Sequence, residues 1–206
     1  MFEEIKANCH SINRRKPVYG VGINDAPYKV KFRVDGKVKY ACPYYLRWVD
    51  MLKRCYGRKY QAKSPSYKGC FTCKEWLVFS AFKLWMEKQN WQGMSLDKDI
   101  IKKGNKEYCE KFCSFVPTEI NNLILMPRVN DLPVGVSFCK RNANYKARLK
   151  KNNKECNIGR FDSPEEAGKA YLTAKSSHIK EVSLKYFKDG LINLIVFNSL
   201  NNWVIN

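Results

Sequence analysis

The chain contains 206 residues, of which 45% are hydrophobic and 14% aromatic, so it can fold as one large or two modest domains and is not a disordered chain. Thirty-eight Lys and Arg residues outnumber nineteen Asp and Glu residues, and the formal net charge of +19 favours a polyanionic partner. No apolar run approaches the roughly 20 residues that span a bilayer, and no basic amphipathic helix stands alone at a terminus. We therefore expect a nucleic-acid partner and no membrane.

The N-terminal residues and the cysteines indicate in which cellular compartment we expect the protein. The start Met1-Phe2-Glu3-Glu4 has no apolar segment behind a basic stretch, so we expect no secretory signal and a cytoplasmic protein. The nine cysteines are then expected to be thiols. Cys70, Cys73, Cys109 and Cys113 form a set that could hold a structural Zn²⁺. Because Cys73 precedes an aromatic segment as a packing residue would, we favour packing over zinc.

The N-terminal segment predicts a basic arm followed by a hairpin. Residues 6–16 are polar and basic without periodicity and predict the arm. Short strands are predicted over residues 28–34 and 37–40, joined by Asp35-Gly36, which is a strong hairpin signal. Three cations would share one face of this ribbon, namely Lys29, Lys31 and Arg33. They either contact phosphate or are simply solvated, and the pattern leaves both open.

Two amphipathic helices are predicted to follow. Pro43 to Tyr56 has helical periodicity, and Gly57 ends it. A second helix is predicted from Thr72 to Lys88, with Thr72 as its N-cap and Glu75 completing a capping box. Five apolar residues mark its inner side, namely Trp76, Phe79, Phe82, Trp85 and Met86. Both helices are expected to pack on the segment that comes next.

A segment in the middle of the chain has the residues best suited to catalysis. Alternation predicts a strand that carries Asp97 and Asp99 on the same face, followed by a turn and an apolar return strand over residues 112–116. A helix follows from Pro117, with Asn121 in its first turns. Carboxylate and amide oxygens suit Mg²⁺ or a similar cation such as Mn²⁺, which takes its remaining ligands from water and phosphate.

The motif Asp97-Lys98-Asp99, the glycine-asparagine turn and the helix residue Asn121 resemble the ββα-metal motif of phage HNH homing endonucleases. The resemblance extends over most of residues 19–125, through Trp48-x-x-Met51-Leu52-x-Arg54-Cys55-Tyr56 and Glu75-Trp76-x-x-Phe79. It implies that Asp97 and Asn121 hold one divalent metal for cleavage of DNA. It also implies a location in the cytoplasm of an infected bacterium, if a phage encodes the chain.

One position departs from that family. HNH enzymes place a histidine beside the acidic residue to activate the attacking water, and this chain has Lys98 there. An ordinary lysine is protonated near neutral pH and is a poor base, so Asp99 or a water on the metal is the other candidate. The alternative interpretation is a solvated or ion-paired hairpin in a protein that only binds DNA or a host factor, in a regulatory or anti-defence role.

Two prolines between residues 127 and 133 predict a linker. We therefore divide the chain into an arm and hairpin over residues 1–41, an HNH-like domain over 42–129 and a further domain over 130–206. The last domain has the pattern of three short strands and a helix, with Ser163 as N-cap and Glu166 as its capping-box partner. The fold class is α+β, a helical ββα-metal domain followed by a three-stranded antiparallel sheet packed on one helix.

Several motifs of this last domain resemble the ethylene-response-factor type DNA-binding domain, which phage homing endonucleases often carry beside an HNH unit. The motifs are Gly-Val-Ser from Gly135, Tyr-Lys-Ala from Tyr145, Ile-Gly-Arg-Phe-Asp from Ile158 and Pro-Glu-Glu-Ala from Pro164. The resemblance implies a sheet that lies in the major groove of double-stranded DNA, with Arg148 and Lys150 at DNA-contact positions.

Period-two alternation assigns the two faces of this sheet. It places Tyr145, Ala147 and Leu149 inward, against the helix. The predicted DNA-contact residues are Lys140, Arg141, Lys146, Arg148, Lys150 and Arg160. These cations either contact phosphates and base edges or form a merely solvated sheet face. Ser137, Cys139, Glu155 and Asn157 stand where the family carries arginines and a tryptophan, so its base preferences are not transferred.

The C-terminal tail is apolar over residues 191–197. This run is too short to span a membrane and predicts a helix or strand that covers the second domain or a partner subunit. A protein partner or self-association through this tail is therefore expected as an alternative.

Overall fold

The computed structural model describes residues 4–125, 131–151 and 154–205. The fold is mixed α+β and divides into two compact units, Met1–Phe115 and Val116–Asn206. Most of the predicted linker over residues 127–133 lies outside the described residues.

The first unit begins with a small helix and a hairpin and continues with alternating helices and short strands. Its elements are α1 (Cys9–Asn13), β1 (Lys31–Val34), β2 (Lys37–Ala41), α2 (Pro43–Tyr56), α3 (Arg58–Lys63), β3 (Phe71–Thr72), α4 (Phe79–Glu87), β4 (Met94–Asp97) and β5 (Glu107–Tyr108). Strand β6 (Ser114–Pro117) begins in this unit and is paired with β4. Strand β3 is paired with β5 in parallel.

Aromatic side chains form the core of the first unit. The indole Nε1 of Trp48, on α2, donates to the Trp76 carbonyl at 2.7 Å, so this polar atom is satisfied although the ring is buried. The Trp76 ring packs on Phe82 and Trp85 at centroid distances of 5.1 and 4.5 Å. The five residues predicted to lie on the inner side of the second helix are all buried. Four of them lie on α4, which confirms the prediction for these four, whereas Trp76 lies before the helix begins.

The predicted start of the second helix is wrong. Thr72 lies in β3, and α4 begins only at Phe79, after a short 3₁₀ turn over Glu75–Leu77. A side chain of the N-terminal segment accepts a hydrogen bond from the first turn of α4 instead, since Ser80 N donates to Asp25 Oδ1 at 2.9 Å. The predicted local capping box therefore does not form, and Asp25, which is 55 residues before Ser80 in the sequence, caps the helix instead.

The segment predicted as a basic arm is partly structured. It contains α1, and Lys6 forms a β-bridge with Tyr28. Arg15 donates to the carbonyl oxygens of Asn24, Ala26 and Tyr28 at 2.9, 2.6 and 3.0 Å. Arg15 thus satisfies backbone acceptors of the loop before β1, which is a structural role.

The second unit contains a three-stranded antiparallel sheet packed on a helix, as predicted. Its elements are α5 (Thr118–Leu123), β7 (Val136–Cys139), β8 (Asn144–Lys151), β9 (Lys154–Phe161), α6 (Pro164–Lys188) and α7 (Leu194–Asn201). The sheet order is β7-β8-β9. Ser163 Oγ accepts from Glu166 N at 3.2 Å, which confirms the predicted cap. The sheet packs on α6 through a core of Ala147, Leu149, Ala167 and Tyr171.

The apolar tail forms helix α7, one of the two structures predicted for it. Val196 and Leu200 are buried, and the Phe197 ring stacks on Phe187 of α6 at a centroid distance of 4.5 Å. The tail therefore covers its own unit, although Leu194 and Ile195 stay exposed. Within the described ranges, no helix is long and apolar enough to cross a membrane.

Candidate functional site

The chain turns immediately after Asp97, so the predicted strand does not reach Asp99. Asp97 Oδ1 accepts from the backbone N–H groups of Asp99 and Ile100, each at 2.7 Å. Asp97 is 9% exposed, whereas the Asp99 side chain is 40% exposed. The prediction that both carboxylates leave the same strand face is wrong, because the Asp97 side chain closes a tight turn.

Burial raises the pKa of Asp97 above its ordinary value, and the two backbone N–H groups offset only part of that effect. A buried carboxylate of this kind gains more than an exposed one from a nearby cation, since its charge is poorly solvated. Its environment therefore suits the ligand role predicted for it. Protons should compete with a bound cation at a higher pH than they would for an ordinary Asp.

Lys98 acts as a clamp inside the same loop. Its side chain is only 6% exposed, and Nζ donates to both carboxylate oxygens of Asp99 at 2.8 Å and to the Asn105 carbonyl at 2.7 Å. In these contacts Nζ is a donor, whereas a general base must accept a proton from the attacking water. The geometry thus favours a structural role for Lys98 and leaves Asp99 as the better-exposed candidate base.

Asn105 is a site residue that the sequence pattern marked only as part of a turn. It is 7% exposed, and Nδ2 donates to the carbonyls of Lys98 and Glu107 at 3.0 and 2.6 Å. Its Oδ1 accepts from Glu107 N at 3.2 Å. The sequence signal for the turn is Gly104, directly before Asn105, because glycine readily adopts a positive φ, here 73°. Asn105 and Lys98 together fix the loop between Asp97 and β5.

Arg54 is a second residue whose role the sequence did not reveal. It donates to the Leu96 carbonyl at 3.2 Å and to Asp50 at 2.7 Å, so it ties α2 to the strand that ends at Asp97. The four-residue spacing between Asp50 and Arg54 predicts the ion pair, but only the fold supplies Leu96.

Lys98→Met is expected to lower the free energy of unfolding by about 1–3 kcal/mol, because it leaves the buried Asn105 carbonyl without its donor. The measurement is urea denaturation followed by circular dichroism. Lys102→Met, an exposed lysine of the same loop, is the matched control and should change stability by less than about 0.5 kcal/mol. An equal effect for the two variants would contradict the clamp.

Asn121 lies on α5, in the second unit, and is half-buried. This helix is bonded to α6, since the Tyr186 hydroxyl donates to Glu119. Asp97 belongs to the first unit, so a metal shared by Asp97 and Asn121 stays a prediction. Among the described residues, no three His, Cys, Asp or Glu side chains form a metal-binding group. The predicted site uses one carboxylate and one amide, so that finding does not bear on it.

The nine cysteines are free thiols, as predicted. Pairing of β3 with β5 brings Cys73 beside Cys109, and Cys73 N donates to the Tyr108 carbonyl at 2.9 Å. Burial raises the pKa of Cys73 to about 11 and that of Cys113 well above its usual value. Burial thus keeps these thiols protonated in the metal-free protein, as packing residues would be, and the Zn²⁺ alternative stays a prediction.

The three-stranded sheet has one packed face and one open face, which confirms the predicted alternation. Ala147 and Leu149 are 0% and 3% exposed, whereas Arg148 and Lys150 are exposed and Lys146 is half-buried. The register adds the neighbours on the open face. Cross-strand partners there are Ser137, Lys146 and Arg160 in one row, Arg148 and Asn157 in the next, and Lys150 and Glu155 in the last.

Arg148 is held on this face by two polar neighbours. Its guanidinium pairs with Glu155 at 3.0 Å and donates to Ser137 Oγ at 3.2 Å. Both partners of the ion pair are well exposed, at 44% and 68%, so we expect the pair to contribute about 0–1 kcal/mol. Arg148 can therefore exchange Glu155 for a phosphate at little cost. Lys140 and Arg141 are exposed in a short turn after β7.

Comparison of the chain with protein-family models, curated proteins and solved structures gives no match, so its family resemblances rest on the motifs alone.

Proposed function

We propose that the protein binds double-stranded DNA through the open face of the β7-β8-β9 sheet. The observation that carries this proposal is the set of cations that project from a rigid sheet backed by α6. Lys146 and Arg160 lie in one row of that face, and Arg148 lies in the next row. Arginine and lysine side chains at such positions reach phosphates and guanine edges. The formal charge of +19 supports a polyanionic partner for the chain as a whole.

The second candidate function is metal-dependent cleavage of the bound DNA, as the resemblance to phage HNH homing endonucleases implies. The buried, raised-pKa carboxyl of Asp97 supports it. Asp97 and Asn121 would hold one Mg²⁺ or Mn²⁺ ion. When bound, the ion would stabilise the charge that develops on the phosphate and the leaving oxygen. Asp99, oriented by Lys98 Nζ at 2.8 Å, would accept the proton of the attacking water.

The competing assignment is a protein that keeps the HNH scaffold and only binds DNA or a host factor. Lys98 supports it, because this residue replaces the family histidine and its Nζ is engaged by Asp99 and Asn105. The two assignments share the sheet and differ at the Asp97 loop alone.

Replacing Lys146, Arg148 and Lys150 together by alanine is expected to weaken duplex binding roughly 10- to 100-fold at about 0.1 M salt. The slope of log K against log salt should fall by about 2–3, since each phosphate contact contributes about 0.9. Binding is measured by fluorescence anisotropy at several salt concentrations.

The matched control removes three exposed lysines from α6 of the same unit, namely Lys169, Lys180 and Lys188. It changes the net charge equally, so a general electrostatic effect would appear in both variants. Sheet docking would be refuted by a salt-independent parent affinity, or by equal losses in the two variants.

A further inference from the structure

The hairpin β1-β2 of the first unit is exposed on both faces. Val34 and Val38, near its turn, are 43% and 48% exposed. Phe32 and Tyr40 stack on each other across the two strands at a centroid distance of 5.7 Å. An isolated two-stranded ribbon is only marginally stable in water, so contact with a partner would stabilise it and shield these two valines. We call residues 29–40 the basic ribbon.

The turn of the basic ribbon is well formed. Asp35 and Gly36 have φ values of 49° and 75°, as a two-residue hairpin turn of type I′ requires. Arg33 donates to the Gly36 carbonyl at 2.9 Å, which holds the turn closed. The ribbon is therefore a shaped element, and its predicted hairpin is confirmed.

Cations lie on both faces of the basic ribbon. The register places Lys31 and Arg33 on one face, with Val38, and Lys37 on the opposite face, with Tyr40. A bulge between Phe32 and Arg33 gives Lys39 an extra position on the second strand. The exposed basic residues are Lys29, Lys31, Arg33, Lys37 and Lys39, against one acidic residue, Asp35. A ribbon that binds a flat anionic surface needs cations on one face only. Cations on both faces instead fit a groove that has phosphates along both walls.

We propose that the basic ribbon enters the major groove of duplex DNA as a second binding element of the protein. The major groove is about 12 Å wide and admits a two-stranded ribbon. In that position Lys31 and Lys37 contact the phosphates of opposite walls, while Val34 and Val38 are shielded from water at the tip. This inference rests on the proposed function, because it takes duplex DNA as the ligand, but it assigns that ligand to different residues.

The test replaces Lys31, Lys37 and Lys39 together by glutamine in the full chain and keeps Arg33, which the turn requires. The control replaces three exposed lysines elsewhere in the first unit, namely Lys59, Lys63 and Lys68, by glutamine. Duplex affinity is measured against salt, and hydroxyl-radical footprints are recorded on the same duplex. We expect the ribbon variant to lose about tenfold to a few hundredfold in affinity at 0.1 M salt and about 2–3 units of slope. In its footprint, one patch of DNA that the parent protects should lose its protection, while the other protected patches stay unchanged.

The sheet variant of Lys146, Arg148 and Lys150 is measured in parallel and separates the two assignments. If the sheet variant loses duplex affinity relative to the control and the ribbon variant does not, DNA binding by the ribbon is refuted and DNA binding by the sheet is supported. Loss with the ribbon variant alone supports the ribbon and refutes the sheet. A parent that does not bind duplex, or that binds single strands more tightly through these lysines, refutes groove docking by the ribbon.

Discussion

Asp97→Asn is expected to reduce Mg²⁺-dependent cleavage of duplex DNA at least about 100-fold while DNA affinity stays unchanged. The asparagine keeps an Oδ1 acceptor for the N–H groups of Asp99 and Ile100, which Asp97 binds at 2.7 Å, so the turn is preserved. It removes the negative charge that would hold the metal. The assay compares parent and variant on long mixed-sequence or phage genomic DNA with Mg²⁺, with Mn²⁺ and with chelator.

A thermal melt gives a second readout that does not depend on activity. Burial raises the pKa of Asp97 in the folded protein above its unfolded value of about 3.9. Without metal, the free energy of unfolding therefore falls as the pH rises from that value through the folded-state pKa, because ionised Asp97 is less favourable in the folded protein than in the unfolded chain. Asp97→Asn removes this cost and should match or exceed the parent in Tm at pH 7 without metal. Mg²⁺ should raise the Tm of the parent and leave that of the variant unchanged, because only the parent binds the ion.

Two further variants locate the rest of the site. Asn121→Ala should also lose cleavage, and Asp99→Asn should lower kcat with little change in the Mg²⁺ effect on Tm, since Asp99 is assigned to proton transfer. A parent that cuts no DNA with either metal would contradict the cleavage assignment. If Lys98→His then gained cleavage, the scaffold would be an HNH fold converted to a binding protein.

The second unit was the easier one to predict because its local signals and its packing agree. Ser163 caps α6 from within the same turn, and Ala147 and Leu149 face the helix as period two requires. The local signals predict where α6 begins but not where it ends, and the helix runs on to Lys188. There its later turns are covered by α7.

The first unit was harder because its decisive contacts join residues that are distant in the sequence. Thr72 looks like a helix N-cap but is recruited into a strand by β5, and the cap of α4 comes from Asp25. At the candidate site, alternation predicts β4 but extends it to Asp99, because it does not predict the turn that Asp97 makes with its own backbone. Lys98 is buried because Asn105, seven residues later, supplies a carbonyl for it.

Gly135→Ala is expected to lower the free energy of unfolding of the second unit by about 2–5 kcal/mol. Gly135 has a φ of 76°, which costs an alanine about 1–2 kcal/mol. A Cβ there would also lie 2.1 Å from Cδ2 of Tyr171, which is buried in the core between the sheet and α6. Relieving that overlap means moving a packed ring, at a further cost of about 1–3 kcal/mol.

Gly190→Ala separates the two causes. Gly190 has a similar φ of 68°, but a Cβ there would meet no atom within 4 Å, so only the backbone cost of about 1–2 kcal/mol is expected. Urea denaturation followed by circular dichroism gives both values, provided that the m-value is unchanged. If the two variants lost equal stability, the Tyr171 ring would move aside without cost. The close packing of Gly135 would then not explain why glycine stands directly before β7. A larger loss for Gly135→Ala ties that glycine to the ring that supports the proposed DNA-binding face.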